Sequence, residues 1–151
     1  MNIVIRPGLA ADVPRLSELL TDLFTLEVDF VPDEEKQKRG LSMLVADQSG
    51  TAAVFVAETD GDVVGMASVQ TLVSTAEGAR VGLVEDVIVD QRFRGKGVGM
   101  LLLDHLVDWG RTHNFTRLQL LVDRNNQPAV EFYLQQGWQG TSLNCMRMLL
   151  R

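Results

Sequence analysis

A six-residue glycine-rich segment is the first part of the sequence whose residue types point to chemistry. Arg94-Gly95-Lys96-Gly97-Val98-Gly99 follows the β-rich run 84–89 and the short turn 90–93, and it opens the apolar-striped run 100–113. This order predicts a strand, a loop and the first turn of a helix, which present free backbone N–H groups and the positive end of a helix dipole. Glycines at alternate positions would let the backbone approach a ligand closely. The segment is typical of a phosphate-binding loop, and also of a glycine-rich turn that only exposes its cations.

The charge of the chain makes these cations unusual. The 151 residues carry a formal net charge of −6, which argues against a general surface for nucleic acid or an anionic membrane. Arg92, Arg94 and Lys96 form a local positive cluster on this acidic chain, which suits a specific anionic ligand.

Length and composition predict a single domain, residues 1–151. No run approaches the ~20 apolar residues that span a bilayer, and the N-terminus lacks a signal-peptide pattern, so we expect a cytoplasmic protein.

The remaining elements follow from apolar periodicity and turn residues. Strands are predicted at 2–6, 53–57, 63–69, 80–89 and 116–122, a loop at 71–78, and one or two closing strands within 138–151. Helices are predicted from Asp12 and Pro14 onward, at 33–45, after the glycine segment, and at about 128–136. Asp60-Gly61 predicts a tight hairpin turn. This order of elements indicates a layered α/β fold.

Other side chains with reactive groups are expected to be structural. Cys145 is the only cysteine and lies in an apolar run with Met146, Met148 and Leu149, so we expect a buried thiol. His105 falls on the apolar stripe of its helix and should pack in the core or an interface. The acidic segment 27–35 fits either a solvated loop and helix start or a lip that attracts a cationic molecule.

A second motif lies downstream of the glycine segment. It reads Asn126-Gln127-Pro128-Ala129-Val130-Glu131-Phe132-Tyr133 and is followed by Gly137-Trp138. Together the two motifs resemble those of the GNAT-type N-acetyltransferase superfamily, a Q/R-x-x-G-x-G/A loop and an N-x-x-A-x-x-x-Y segment. The opening Ile5-Arg6-Pro7 is also similar to that superfamily's first strand. Two rival phosphate motifs do not fit, because Lys96 is followed by glycine rather than Ser or Thr and the glycine spacing is not G-x-G-x-x-G.

The resemblance implies a fold and a co-substrate. We expect a mixed, mostly antiparallel central sheet of six to seven strands, flanked by about four helices, with a V-shaped opening between two central strands. The co-substrate would be acetyl-coenzyme A, with no metal, and its pyrophosphate would lie on residues 94–99. The backbone of Val87, Ile88 and Val89 would pair with the pantetheine amides. Asn126 would touch the same arm, cap the helix that follows it, or do both.

The resemblance also assigns one reacting group, Tyr133, the only tyrosine, which would protonate or stabilise the leaving thiolate. The family has no fixed position for the base. From its place on the strand, Glu85 is the favoured base for the acceptor ammonium, directly or through water, and Asp86 is the alternative, since neighbouring side chains of a strand point to opposite faces. The acceptor would be a small-molecule or peptide amine, its specificity set by about 23–40 and 140–146, and a homodimer is possible. The alternative function is a catalytically silent sensor or regulatory module that binds coenzyme A and needs neither Tyr133 nor Glu85.

Overall fold

The computed structural model of the chain describes residues 1–27 and 29–151. The described residues form five strands, β1 (Val4–Pro7), β2 (Ala52–Thr59), β3 (Asp62–Ser74), β4 (Ala79–Val89) and β5 (Leu118–Leu120). They also form four α-helices, α1 (Val13–Leu26), α2 (Glu34–Ala46), α3 (Val98–Thr112) and α4 (Gln127–Gln135). The chain divides into two compact units, Met1–Leu120 and Leu121–Arg151. A single domain over 1–151 stays a prediction.

The strands of the first unit make one mixed sheet. Their order is β1-β2-β3-β4-β5, with antiparallel pairing from β1 to β4 and parallel pairing between β4 and β5. The α/β class, the mostly antiparallel sheet and the four helices are confirmed. The expected six to seven strands are wrong, because the described residues form five. The closing strands expected within 138–151 do not form.

The parallel pair is shorter than the sequence suggests. Gly82–Val84 pairs with Leu118–Leu120 over three positions, whereas 116–122 was expected to be a strand. A Cβ on Gly82 would lie 2.6 Å from Leu118 Cδ2, so a glycine allows β5 to approach β4 here. Beyond Val84, β4 continues to Val89 without β5. The V-shaped opening would begin at this point and stays a prediction.

The two hairpins show where turn residues decide the structure and where they do not. Asp60 and Gly61 adopt φ values of +49° and +81° between β2 and β3, which confirms the tight turn. Only the second half of the loop expected at 71–78 forms a turn, because Thr71 to Ser74 pair with β4. Ladder hydrogen bonds come from the backbone, so polar side chains do not prevent the pairing.

Helices α1 and α2 cover one face of the sheet with a continuous apolar core. Its buried members are Val13, Leu16, Leu19, Leu20, Leu41, Val54, Val56, Val63, Met66 and Ile88. Asp12 does not cap α1 as expected. Its carboxylate accepts hydrogen bonds from the Arg6 guanidinium (2.8 and 3.0 Å) and from the Leu9 N–H (2.7 Å), and so it closes the short 3-10 turn before the helix.

Helix α3 packs on the opposite face, because strand residues alternate between faces. The His105 ring lies edge-on to Phe55, with centroids 4.7 Å apart, which confirms its packing role. Close approach at the helix start depends on Gly65 of β3. A Cβ there would lie 3.1 Å from Leu102 Cδ1 and 3.3 Å from Val98 Cγ1. The sheet therefore fixes the position of the N-terminus of α3.

The second unit contains α4 and a segment without regular structure. Residues 139–151 form neither helix nor strand. Cys145 is exposed, and so are Met146, Met148 and Leu149 (95%, 83% and 68%), so the expectation that they are buried is wrong. Apolar residues in a row predict burial only if a partner strand or helix covers them, and no ladder forms along this segment.

Within the described part of the chain, no helix is both long enough and apolar enough to cross a membrane. The cytoplasmic location stays a prediction.

Candidate active site

The glycine loop has the geometry of an anion cradle. After Val89, a 3-10 turn (Gln91–Phe93) leads into Arg94, and then Gly95 and Gly97 adopt φ values of +75° and +83°. An L residue in this left-handed region costs about 1–2 kcal/mol, so both positions favour glycine. No described atom lies within 4 Å of where a Cβ would stand at either glycine. The glycines are therefore explained by backbone conformation, and the space beside them is open.

The first turn of α3 leaves backbone donors without partners. Gly97 precedes the helix with no side-chain cap, and the first helical bond runs from the Leu101 N–H to the Gly97 carbonyl at 3.1 Å. The N–H groups of Val98, Gly99 and Met100 consequently have no acceptor within the helix. These donors and the positive end of the α3 dipole form an anion-binding position.

One of the three loop cations is neutralised locally. Arg92 pairs with Asp90, with Nη2 2.9 Å from Oδ2 and Nε 3.2 Å from Oδ1. Asp90 also accepts the Arg92 backbone N–H (2.9 Å) and Arg15 Nη2 of α1 (2.6 Å). The Arg92 guanidinium, followed by the backbone bond and Arg15, holds the pKa of the Asp90 carboxyl well below its usual range. This network anchors the start of the loop to α1. Because the Asp90 carboxylate neutralises the Arg92 guanidinium, Arg92 attracts an anionic ligand less strongly.

The other two loop cations, Arg94 and Lys96, are not paired with a carboxylate of any described residue. Arg94 donates from Nε to the Val89 carbonyl at 3.0 Å and makes no ion pair with a described residue. Lys96 lies with Nζ 5.4 Å from the Phe93 ring centroid, a cation–π contact that leaves the charge uncompensated. Both side chains are exposed beside the first turn of α3.

The end of β4 has an edge available for an extended ligand. Asp90 donates its N–H to the Val64 carbonyl of β3 at 2.8 Å, while the Val89 carbonyl accepts from Arg94 and so faces away from β3. Val87 belongs to the bulge described below, so a strand-like contact of its backbone with a ligand stays a prediction. Ile88 pairs with Met66 and is buried. The Val89 carbonyl therefore lies on the side of β4 away from β3, and Ile88 anchors this end of the strand to the core.

A β-bulge interrupts β4 immediately before this edge. Ser68 pairs with Glu85 and Met66 pairs with Ile88, so Asp86 and Val87 lie opposite the single residue between them on β3. Asp86 has a φ of +56°, which is rare for a residue other than glycine. The simple alternation of Glu85 and Asp86 that the sequence suggests does not hold at this point.

The two carboxylates of the bulge differ in environment. Glu85 is exposed and Asp86 is half-buried. The pKa of Asp86 is raised to about 6, chiefly by burial and then by the negative charges of Glu85 and Glu27, while the hydrogen bond from the Ser68 hydroxyl opposes the rise. Ser68 Oγ donates to the Glu85 carbonyl at 3.0 Å and lies 3.4 Å from Asp86 Oδ2. Asp86 is therefore a carboxyl group that changes protonation state near neutral pH.

The second motif lies in the second unit. Asn126 caps α4, accepting the Ala129 N–H on its Oδ1 at 3.3 Å, so the capping role expected for it is present. Tyr133 is half-buried on α4, and its ring lies edge-on to Phe132 and Trp138 with centroids 5.4 and 6.0 Å apart. Trp138 donates its N–H to the Tyr133 carbonyl at 3.0 Å. The ligand contacts expected for Asn126 and Tyr133 stay predictions.

Comparison with known proteins identifies the family. The model of the acetyltransferase (GNAT) family matches residues 13–138. The chain belongs to the GNAT acetyltransferase family. The resemblance inferred from residues 94–99 and 126–133 is thereby confirmed.

Curated relatives share part or most of this GNAT chain. An uncharacterized N-acetyltransferase of Archaeoglobus fulgidus is 34% identical over 95 residues, which span 62% of this chain and 63% of that protein. Streptothricin acetyltransferase of Streptomyces lavendulae is 30% identical over 151 aligned positions, covering 88% of this chain and 78% of that protein. The match to a third relative, from Methanocaldococcus jannaschii, spans only 38% of its length.

Solved structures share the GNAT fold over the whole chain. A possible acetyltransferase from Clostridium difficile superposes with a TM-score of 0.86 at 18% identity, covering 100% of this chain and 99% of that one. Identity this low supports the shared fold and no further likeness.

Several residues around this GNAT loop were not found from the sequence. Arg15 and Asp90 meet across 75 positions of chain, and no local pattern announces such a pair. Ser68 left a weak signal, because a hydroxyl inside the apolar run 63–69 needs a hydrogen-bond partner when buried. No pattern in the sequence predicts the positive φ of Asp86.

Within residues 1–27 and 29–151, no group of three or more His, Cys, Asp or Glu side chains is arranged to hold a metal ion. The expectation that no metal takes part stays a prediction.

Proposed function

We propose that this chain is an N-acetyltransferase that moves an acetyl group from acetyl-coenzyme A to a primary amine by direct attack within a ternary complex. The observation that carries the proposal is the left-handed Gly97 before α3, where bare first-turn N–H groups and two unpaired cations meet in open space. Membership of the GNAT family supports it.

The residues present fit coenzyme A chemically. The N–H groups of Val98 and Gly99, with the side chains of Arg94 and Lys96, suit a pyrophosphate, while Gly95 and Gly97 keep side chains out of its way. The outward-facing backbone of Val89 suits an amide of an extended pantetheine arm, as an added strand would pair, and we assign a second amide to the backbone of Val87. The co-substrate supplies the acetyl group as a thioester.

The protein's own groups then handle protons. A primary ammonium has no lone pair, so it must lose a proton before attack, and a carboxylate of β4, Glu85 or Asp86, accepts it. Tyr133 donates its hydroxyl hydrogen to the leaving thiolate. Direct attack is favoured because Cys145 is exposed in a segment without regular structure and belongs to neither motif.

We further propose a cationic acceptor, either a small molecule or a peptide amine. Glu27, Glu85 and Asp86 place negative charge beside the bulge, as the influence of the first two on the Asp86 pKa shows. Asp33 and Glu34 are partly committed elsewhere, since Asp33 caps α2 and Glu34 lies 2.6 Å from Lys38. Of the acidic segment 27–35, Glu27 is the member whose charge acts on Asp86 at the bulge.

The test is thiol release from acetyl-coenzyme A with a panel of amines: spermidine, L-lysine, kanamycin, a lysine-rich peptide, and streptothricin because of the name of the Streptomyces relative. Cys145 is exposed and would react with a thiol reagent, so the assay uses Cys145→Ser, with product mass as a second readout. Release with at least one amine, and a product heavier by one acetyl group, is the expected result.

Tight binding of acetyl-coenzyme A without release on any of these amines would favour the sensor that the sequence left as the alternative. Absence of binding would refute the proposal itself. The possible homodimer is a separate prediction, which sedimentation velocity would check.

A further inference from the structure

We propose that Asp86, held by the bulge and positioned by Ser68, is the catalytic residue that accepts the acceptor's proton, and that Glu85 only modulates it. This assignment rests on the proposed function and deepens it, since the sequence favoured Glu85.

The bulge separates the two carboxylates. In an unbroken strand, Glu85 and Asp86 would point to opposite faces of the sheet. Here β4 carries one extra residue opposite β3, and the left-handed φ of Asp86 turns its side chain toward Ser68 and into partial burial. Strained backbone persists where the surrounding structure holds it, and such sites cluster where function requires them. Glu85 stays exposed to solvent.

The surroundings of Asp86 suit a base that works near neutral pH. The described groups that act on its carboxyl are Glu85 on its own strand, Glu27 at the end of α1, and Ser68 on β3. Two negative neighbours and partial burial make the carboxylate more basic than usual, and one hydroxyl keeps the charged form accessible. A general base is most effective when its affinity for protons matches the working pH.

Ser68 can serve both protonation states of Asp86. The hydroxyl is buried, with 1% exposure, and carries one hydrogen between two acceptors, the Glu85 carbonyl at 3.0 Å and Asp86 Oδ2 at 3.4 Å. When Asp86 is ionised, the hydroxyl hydrogen can turn toward it. When Asp86 holds a proton, Ser68 can accept that hydrogen and donate to the carbonyl. Ser68 is thus a positioning residue, since it acts through Asp86.

The proton balance is complete without another reactant. The Asp86 carboxylate takes one hydrogen from the acceptor ammonium, and the freed nitrogen lone pair forms the C–N bond to the acetyl carbon. As the C–S bond breaks, the sulfur takes the electron pair and the hydroxyl proton of Tyr133, and the second proton lost by the nitrogen restores the Tyr133 hydroxyl. Asp86 then returns its proton to solvent, so each turnover yields the amide, the free thiol and one H⁺.

The experiment measures kcat/KM against pH with the fastest amine of the panel above. The wild-type rate should rise with pH through an apparent pKa near 6, the value to which burial and the neighbouring carboxylates together raise the pKa of Asp86. Asp86→Asn keeps the shape and the tolerance for positive φ, so it should fold, lower kcat/KM by about 10²–10⁴-fold and abolish the rising limb. Thermal unfolding at pH 8 checks the fold, where removal of a half-buried charge should not destabilise the protein.

Two further variants should move the rising limb in opposite directions. Glu85→Gln removes a like charge and should shift it to lower pH, with a loss of kcat far smaller than that of Asp86→Asn. Ser68→Ala removes a donor to the ionised carboxylate and should shift it to higher pH, by less than about one unit because the contact is long. Ser68→Thr keeps a hydroxyl donor and should return the rising limb to its wild-type pH. A purely structural role for Ser68 would not predict this recovery.

The proposal is overturned if Asp86→Asn keeps the rising limb, or if Glu85→Gln shows the large loss instead. Failure of the proposed function is distinguishable, because it would appear as no turnover with any amine in the wild type. In that case, a ¹³C carboxyl titration of the free protein still decides. A titration of Asp86 near 6 supports its special environment, and one near the ordinary aspartate value of about 4 overturns the proposal.

Discussion

A carboxylate placed in the glycine loop should weaken binding of acetyl-coenzyme A through charge, and the chain offers a matched control for backbone strain. Gly97 and Gly50 have φ values of +83° and +78°, and neither has an atom within 4 Å of the position of a Cβ. Asn and Asp tolerate this conformation better than other residues and have nearly the same shape. Gly97→Asp compared with Gly97→Asn therefore differs in charge alone.

The size of the effect follows from Coulomb's law. Two unit charges 4 Å apart interact by about 1 kcal/mol in water and about 4 kcal/mol at an effective dielectric constant of 20. The loop is exposed, so we expect roughly 1–2 kcal/mol, which is about 5- to 30-fold in Kd. Strain costs at most about 1–2 kcal/mol at either glycine and should be similar at both.

Isothermal titration calorimetry with acetyl-coenzyme A measures the difference. Gly97→Asp should bind about 5- to 30-fold more weakly than Gly97→Asn, and the gap should narrow as salt is raised because exposed charges are screened. Gly50→Asp and Gly50→Asn should bind alike. Equal affinities for the two Gly97 variants would refute the cradle, and an equal gap at Gly50 would show that the effect is one of overall charge.

Three other changes test the parts that support the site. Gly82→Ala forces a Cβ to within 2.6 Å of the Leu118 side chain and should cost about 1–3 kcal/mol in the free energy of unfolding, measured by urea denaturation. Asp90→Asn should destabilise the protein at pH 7. The native pKa of Asp90 is depressed, so this loss should be complete above about pH 4 and should shrink as the pH falls toward that pKa. Tyr133→Phe should lower kcat by about 10²–10⁴-fold, with little change in the Kd for acetyl-coenzyme A.

Each of these has its own counter-result. Gly140→Ala, with no atom within 4 Å of its Cβ, is the control for Gly82→Ala, and equal stabilities would contradict close packing at β5. An Asp90→Asn loss that does not change with pH would mean that the carboxylate charge contributes nothing. For Tyr133→Phe, an unchanged kcat would exclude the hydroxyl from proton transfer.

The sequence was sufficient for the local parts of the site. The loop at 94–99, its helix, and the family were all found from residue type and spacing, because left-handed turns and helix starts depend on a few adjacent residues. The Asp60-Gly61 hairpin was found for the same reason. His105 was correctly placed on the apolar face of α3.

What the sequence did not show depends on partners distant along the chain. Whether residues 138–151 form strands depends on a neighbouring strand, and apolar composition alone suggested burial for Cys145 where the structure exposes it. Asp12 has the sequence position of a helix cap, but its carboxylate binds the Arg6 guanidinium instead. The bulge at Asp86 arises from register between β3 and β4, which a period of two along one strand cannot reveal.

The most direct measurement of the central claim is the backbone amide spectrum of ¹⁵N-labelled protein titrated with coenzyme A. If the loop holds the pyrophosphate, the largest downfield shifts should fall on Gly97, Val98, Gly99 and Met100, whose N–H groups would gain charged acceptors. Desulfo-coenzyme A should give the same pattern, since the thiol plays no part there. Saturable binding that leaves these four amides in place while others move would contradict the assignment of the loop.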